Sequence, residues 1–125
     1  AKVAANTDEA KRQFGLALAW AVRGEMIRNN LDQVDQFFGE IVKLPHTERA
    51  LLADASGTVR VSTDRRHLGA ALTTLVPVEA TLADKVEVRV QADGPKLLVI
   101  PVMGLNSRLG TVVVSYRQPD VLAAD

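Results

Sequence analysis

The chain contains no cysteine. This excludes disulfides, thiolate nucleophiles and sulfur-ligated zinc or iron–sulfur centres, and it leaves cytoplasm and periplasm equally open as compartments. An excess of one charge is missing too. Lys and Arg together number 15, as do Asp and Glu. With no long block of like charges, the basic footprint of a nucleic-acid binder is absent. Long apolar runs are also lacking. The longest, Phe14 to Val22, lies between Lys11-Arg12 and Arg23 and falls well short of the ~20 residues a membrane-crossing helix needs. Asp8, Glu9, Lys11 and Arg12 interrupt the start, so no signal-peptide pattern opens the chain. These absences predict a chain that is soluble as it stands, and they are compatible with a place between two membrane spans.

Catalytic signatures are equally scarce. Ser56, Ser62, Ser107 and Ser115 lack the Gly-x-Ser-x-Gly setting of a nucleophile elbow, and no Gly-rich phosphate loop precedes a helix. His46 and His67 sit in separate loops without metal-ligand spacing. Asp32 and Asp35 lie on one helix flank, where solvated charges are the usual explanation. The inventory points away from an enzyme and calls for no cofactor or metal.

What the chain does contain is organised around Leu51 to Thr63, which reads as a β-hairpin. Asp54-Ala55-Ser56-Gly57 places Asp at the opening of a tight turn, where its carboxylate accepts from nearby amides, and Gly at the close, where a positive φ costs little. Thr58 to Thr63 then alternates, with Val59 and Val61 on one side and Thr58, Arg60 and Ser62 on the other.

Upstream, Asn6-Thr7-Asp8-Glu9 has the form of a capping box and opens a helical region. Trp20, Ile27, Leu31, Val34, Phe38 and Ile41 form a single stripe if the helix runs unbroken to about Leu44. Gly24 and Asn29-Asn30 equally allow two helices with a bend near residue 30. A continuous helix from Thr7 would be about 55 Å long, more than a domain of this size covers. Phe14 to Val22 is apolar nearly all round, so this part is expected either to pack on a second copy or to fold back onto the core. Leu44-Pro45 ends the helical region.

Downstream, the pattern gives further strands at Val86–Gln91, Lys96–Met103 and Leu109–Tyr116, with Pro101 marking a bulged or unpaired position. The turns are Ala92-Asp93-Gly94-Pro95 and Gly104–Ser107, and Gln118-Pro119-Asp120 breaks the last strand. An irregular crossing segment, Asp64 to Lys85, has one turn at Asp64–Gly69 and a short helix at Val78–Ala83. The predicted fold is a single α+β domain. Residues 1–45 form a long helix or helix pair packed on a five-stranded antiparallel PAS-like sheet at 46–117, a short helical segment covers the other face, and 118–125 is a tail.

The face opposite the valines carries Arg60, Ser62, Arg89, Thr111 and Ser115, and a covering segment would enclose a pocket there with polar walls. Arg60, Arg65, Arg66, His67 and Arg89 form the candidate anion-binding set. Arginine matches both oxygens of a carboxylate, and histidine supplies a further donor. Each also has a plainer role: solvated turn charges for Arg65 and Arg66, a turn cap for His67, and pairing with Glu79 or Glu87 for Arg89. The candidate ligand residues are Arg60, Ser62, Arg66, His67 and Arg89.

Ala53-Asp54-Ala55-Ser56-Gly57-Thr58-Val59-Arg60-Val61-Ser62-Thr63-Asp64, followed by His67-Leu68-Gly69, resembles the hairpin of Cache-type, PAS-like extracytoplasmic sensor domains. Val99-Ile100-Pro101-Val102 with Leu109-Gly110-Thr111-Val112-Val113-Val114 is similar to that family's second half. The resemblance implies a single-Cache domain of a bacterial chemoreceptor or sensor kinase, periplasmic and held between two membrane helices. It further implies dimerisation through the N-terminal helix and binding of a small anion between sheet and cover. Arg60 before Val61-Ser62 is similar to the strand arginine of citrate and fumarate sensors in this group. Thr63 stands where those sensors have a histidine, so a monocarboxylate such as acetate, or an amino acid, competes with larger acids as the expected ligand. The alternative is a roadblock-like cytoplasmic module that regulates a GTPase, but that fold wants a long helix where Asp64 to Lys85 shows no sustained stripe.

Overall fold

In a computed structural model that describes residues 8–91 and 94–117, the helical region is two helices, α1 (Asp8–Ile27) and α2 (Leu31–Ile41). The break is chemical. Asn29 takes the left-handed conformation, φ 58°. Its N–H donates to the Met26 carbonyl at 3.0 Å, and that of Asn30 donates to Glu25 at 2.8 Å, the hydrogen-bond pair of a Schellman stop. The stop resets the helical phase. The unbroken stripe through Trp20 and Ile27 is therefore corrected: α1 buries Gly15, Leu18 and Val22, while Trp20 and Ile27 point outward, 70% and 60% exposed. In α2 the expected face holds, with Val34, Phe38 and Ile41 buried. Asn6 of the capping box lies outside the described residues.

The five strands are β1 (Thr47–Asp54), β2 (Val59–Ser62), β3 (Glu87–Arg89), β4 (Lys96–Met103) and β5 (Arg108–Tyr116). They form one antiparallel sheet in the order β2-β1-β5-β4-β3. β5 is the middle strand; β4 lies inside the sheet between β5 and β3, and its Leu97 to Val102 are buried, as a continuous apolar run requires. Pro101 is not unpaired as expected: it stands opposite Thr111 on β5, and the irregularity falls at Val102/Met103. β3 reaches only to Val99 of β4, so the missing N–H of Pro101 costs no bond on that side. The turns at Ala92-Asp93 and Gln118–Asp120 lie outside the described residues.

Both helices cover one face of the sheet, where Leu18, Val22, Val34, Phe38 and Ile41 meet Ala50, Leu52, Val61, Leu98, Ile100, Val112 and Val114. A Cβ added to Gly15 would lie 2.8 Å from Val86 Cγ1 and 3.3 Å from Ile100 Cγ1. A residue without a side chain thus lets α1 approach β4 closely. α1 runs alongside β4: Lys96 Nζ donates to Asp8 Oδ1 at 2.9 Å at one end, and Arg23 Nε to the Met103 carbonyl at 2.9 Å at the other. Lys11 Nζ stands 5.1 Å above the Tyr116 ring, so α1 begins beside the point where β5 ends.

The founding turn is built as expected. Gly57 has φ 89°, and Asp54 Oδ1 accepts from the Ser56 and Thr58 amides at 3.0 and 3.1 Å. The alternation after it is not. Leu52 pairs with Val61 and Ala53 with Val59, which leaves Arg60 as the extra residue of a β-bulge. Val59 and Val61 therefore face opposite sides of the sheet, Val59 toward the crossing segment and Val61 toward the helices.

Candidate functional site

The crossing segment does lie over the second face. Ser62 Oγ accepts from the Asp64 amide at 3.0 Å, and Thr63 closes the ladder with Ala50, its Oγ1 accepting from the Ala50 amide at 3.2 Å. The Ser-Thr step thus ends β2 and turns the chain. A single 3₁₀ turn follows at Arg65–His67, capped by the Asp64 carboxylate. Gly69, at φ 85°, brings the chain back along β2, where the Gly69 and Leu72 amides donate to Val59 and Gly57 at 2.9 and 2.8 Å. This return covers an otherwise open strand edge. A second 3₁₀ turn at Leu72–Thr74 and the short helix α3 (Val78–Thr81) complete the cover.

Beneath that cover the expected polar cavity is replaced by aliphatic packing. Leu72, Val76, Ala80 and Ala83 sit against Leu51, Ala53, Val59, Leu97, Val99 and Val113. The polar residues of this face, Ser62, Thr111 and Ser115, are buried within 5% exposure or less. They are too few to wet a space that leucine and valine fill.

The open volume lies instead at one end of the sheet. It is a groove of about 870 Å³ lined by Val42, Glu48, Arg49, Thr63, Asp64, Arg65, Arg66, His67 and Pro95. Arg49 belongs to the covered face by its register, opposite Ser115 on β5. It is half-buried, and its Nη1 lies 3.5 Å from His67 Nδ1. Asp64 is held by Arg66, whose Nε and Nη2 donate to its two oxygens at 3.0 and 2.7 Å. The Arg66 side chain and amide keep the Asp64 carboxyl well below the usual carboxylate range.

Of the residues singled out from the sequence, Arg65, Arg66 and His67 come together on this groove. Arg60, Ser62 and Arg89 do not. Arg60, turned out by the bulge, donates to Asp54 Oδ2 at 3.2 Å with its side chain 54% exposed. Ser62 is consumed in the turn that follows β2. Arg89 donates to Glu87 Oε2 at 2.7 Å on the far edge strand.

Two arginines escaped the sequence reading. Arg49 lies two residues before Leu51 and four before Ala53 in β1, and that alternation was the available signal that it shares their face. Arg108 opens β5. Its Nη1 donates to the Thr81 carbonyl at 3.0 Å and lies 3.4 Å from Thr111 Oγ1, and its Nη2 donates to the Ala83 carbonyl. It ties the end of the cover to the sheet.

No family model, curated protein or solved structure gives a match to this chain. What stands is the architecture: a long N-terminal helix and its successor on one face of a five-stranded antiparallel sheet, with a short helical segment on the other. Among the described residues no helix is long and apolar enough to cross a membrane, and no cluster of His, Asp or Glu is arranged to hold a metal ion. The groove gathers Arg49, Arg65, Arg66 and His67, with Glu48 and Asp64, at one concave surface.

Proposed function

We propose that this domain is the ligand-sensing input module of an extracytoplasmic bacterial receptor, a chemoreceptor or sensor kinase, and that it binds a small carboxylate, acetate-sized or an amino acid. The observation that carries this reading is Arg49. A half-buried guanidinium faces an open groove, and among the described residues its one hydrogen-bonding contact is a histidine ring nitrogen. Partial burial strips some water from the guanidinium, and an anionic ligand would supply acceptors in its place.

A route for signalling runs from the same place. The α2–β1 connection contributes Val42 to the groove wall, and its His46 carbonyl accepts from the Arg117 amide at 2.7 Å, where β5 ends. Occupation of the groove would shift this connection against the exit of the last strand, whose Tyr116 lies under Lys11 of α1. The outer stripe of α1, with Leu16, Trp20 and Ile27 at 45%, 70% and 60% exposed, is the surface we assign to pairing with a second copy. Sedimentation at rising concentration tests that pairing, and Trp20→Glu should abolish it. The roadblock-like alternative is disfavoured because the longest helix of the crossing segment, α3, has only four residues.

The test of the reading is a thermal-shift screen against small carboxylates and amino acids. A ligand at a hundred times its dissociation constant adds ~2.7 kcal/mol of stability, and Arg49→Ala should remove the response. A wild-type chain that responds to none of them defeats the reading. The flanking gene sequence is a second check, since a receptor of this kind carries an apolar span of ~20 residues on each side of the domain.

A further inference from the structure

Arg49 and His67 meet in a way that depends on a proton. A guanidinium has only N–H donors. His67 Nδ1, 3.5 Å from Arg49 Nη1, therefore faces it as an acceptor, and the proton of the neutral ring stands on Nε2, toward Asp64 Oδ2 at 3.9 Å. A second proton would put an N–H on Nδ1 as well. Two donors and two positive charges would then oppose each other across one contact, which needs an acceptor between them to hold.

Resting on the reading that the groove takes a small carboxylate, we propose that binding is coupled to protonation of His67. The carboxylate enters between guanidinium and imidazolium with one oxygen on each, and Nδ1 takes its proton from solvent as the ligand binds. The charges around the ring agree. From β1 come Arg49 and Glu48, from the ring's own turn Asp64, Arg65 and Arg66, and from the β3–β4 connection Pro95, which carries no charge. Asp64, held by Arg66 through both oxygens, stands 3.9 Å from Nε2, so the attraction it offers a charged ring acts at that nitrogen and leaves the Nδ1–Arg49 contact without an acceptor. The lining has one net positive charge when the ring is neutral and two when it is protonated.

Sodium acetate, ionised throughout the range used, is the first probe, titrated into the wild-type chain at about pH 6 and about pH 8 and followed by backbone amide shifts. Histidine changes charge within this interval, so the expected result is an affinity roughly tenfold weaker at the higher pH. His67→Gln should still bind and lose the pH dependence. Glu48→Gln should keep the dependence, and Arg49→Gln should lose binding at both values. Equal affinity at both pH values in the wild type overturns the coupling and leaves the binding reading intact. Failure of acetate, malonate and glutamate to move any groove amide at either pH overturns the binding reading and the coupling together.

Discussion

Arg60 and Asp54 close the first hairpin with an ion pair, Nη1 to Oδ2 at 3.2 Å, on the outside of the bulge that separates Val59 from Val61. Because the Arg60 side chain is more than half exposed, the pair is screened by solvent and contributes within ~1 kcal/mol. Arg60→Ala is therefore expected to lower the melting temperature slightly and to leave any carboxylate-induced thermal shift at its wild-type size. Arg49→Ala is expected to do the reverse. A loss of the ligand response in Arg60→Ala alone would move the site from the groove to the hairpin.

Asp54 also gives the fold an acid limit. The Ser56 hydroxyl, then the Thr58 amide, Arg60 and the Ser56 amide, hold its carboxyl below the ordinary aspartate value against the opposing effect of partial burial. A carboxyl depressed in the folded state binds fewer protons folded than unfolded, so its stabilisation is complete above the unfolded value and is lost as pH falls through the folded one. Unfolding free energy should decline from about pH 4 downward. Asp54→Asn should start lower at neutral pH and decline less steeply, as urea titrations across the acid range would show.

Gly15 is the point at which α1 touches the sheet most closely. The Val86 methyl that a new Cβ would meet at 2.8 Å is itself buried and packed, so it has little room to retreat. Gly15→Val is expected to destabilise the domain by about 1–3 kcal/mol through overpacking. Gly39→Ala, at a helix position where nothing lies within 4 Å, is expected to be neutral or mildly stabilising. Chemical denaturation of the two variants side by side checks the contrast.

Arg108 holds the cover through two backbone carbonyls and the Thr111 hydroxyl. Truncating it strands these acceptors at a half-buried site, so Arg108→Ala should cost about 1–3 kcal/mol. The effect should be local. Hydrogen exchange should quicken across residues 72–83 while the amides of β4 and β5 keep their protection.

Much of this architecture was legible from spacing. Val34, Phe38 and Ile41 recur at helical intervals, Leu97 to Met103 is continuously apolar because the strand lies inside the sheet and is covered on both faces, and Asp54 with Gly57 carries its own turn chemistry. The helix break was legible only as an alternative, because Asn29 adopts a left-handed φ without the glycine that usually marks one. The site was less legible for two reasons. A single inserted residue at Arg60 reverses which side of the sheet each neighbour faces, and residue periodicity contains no sign of it. The aliphatic filling beneath the cover comes from Leu72, Val76, Ala80 and Ala83, whose spacing of four, four and three is helical, but Pro77 divides the segment into a 3₁₀ turn and a four-residue helix, so their convergence on one face is a property of the chain's path. His67 could be named from its surroundings in the sequence, but Arg49 needed the register of β1 against β5.

The packing of Lys11 on Tyr116 has an architectural consequence. With α1 beginning and β5 ending side by side at one end of the sheet, the fold is a closed excursion that starts and finishes at nearly the same point, much as a lollipop leaves its stick. Such a unit can be spliced into a single exposed turn of a foreign host without prising that host apart. The host's own flanking segments, drawn together at the join, would report any strain at that end.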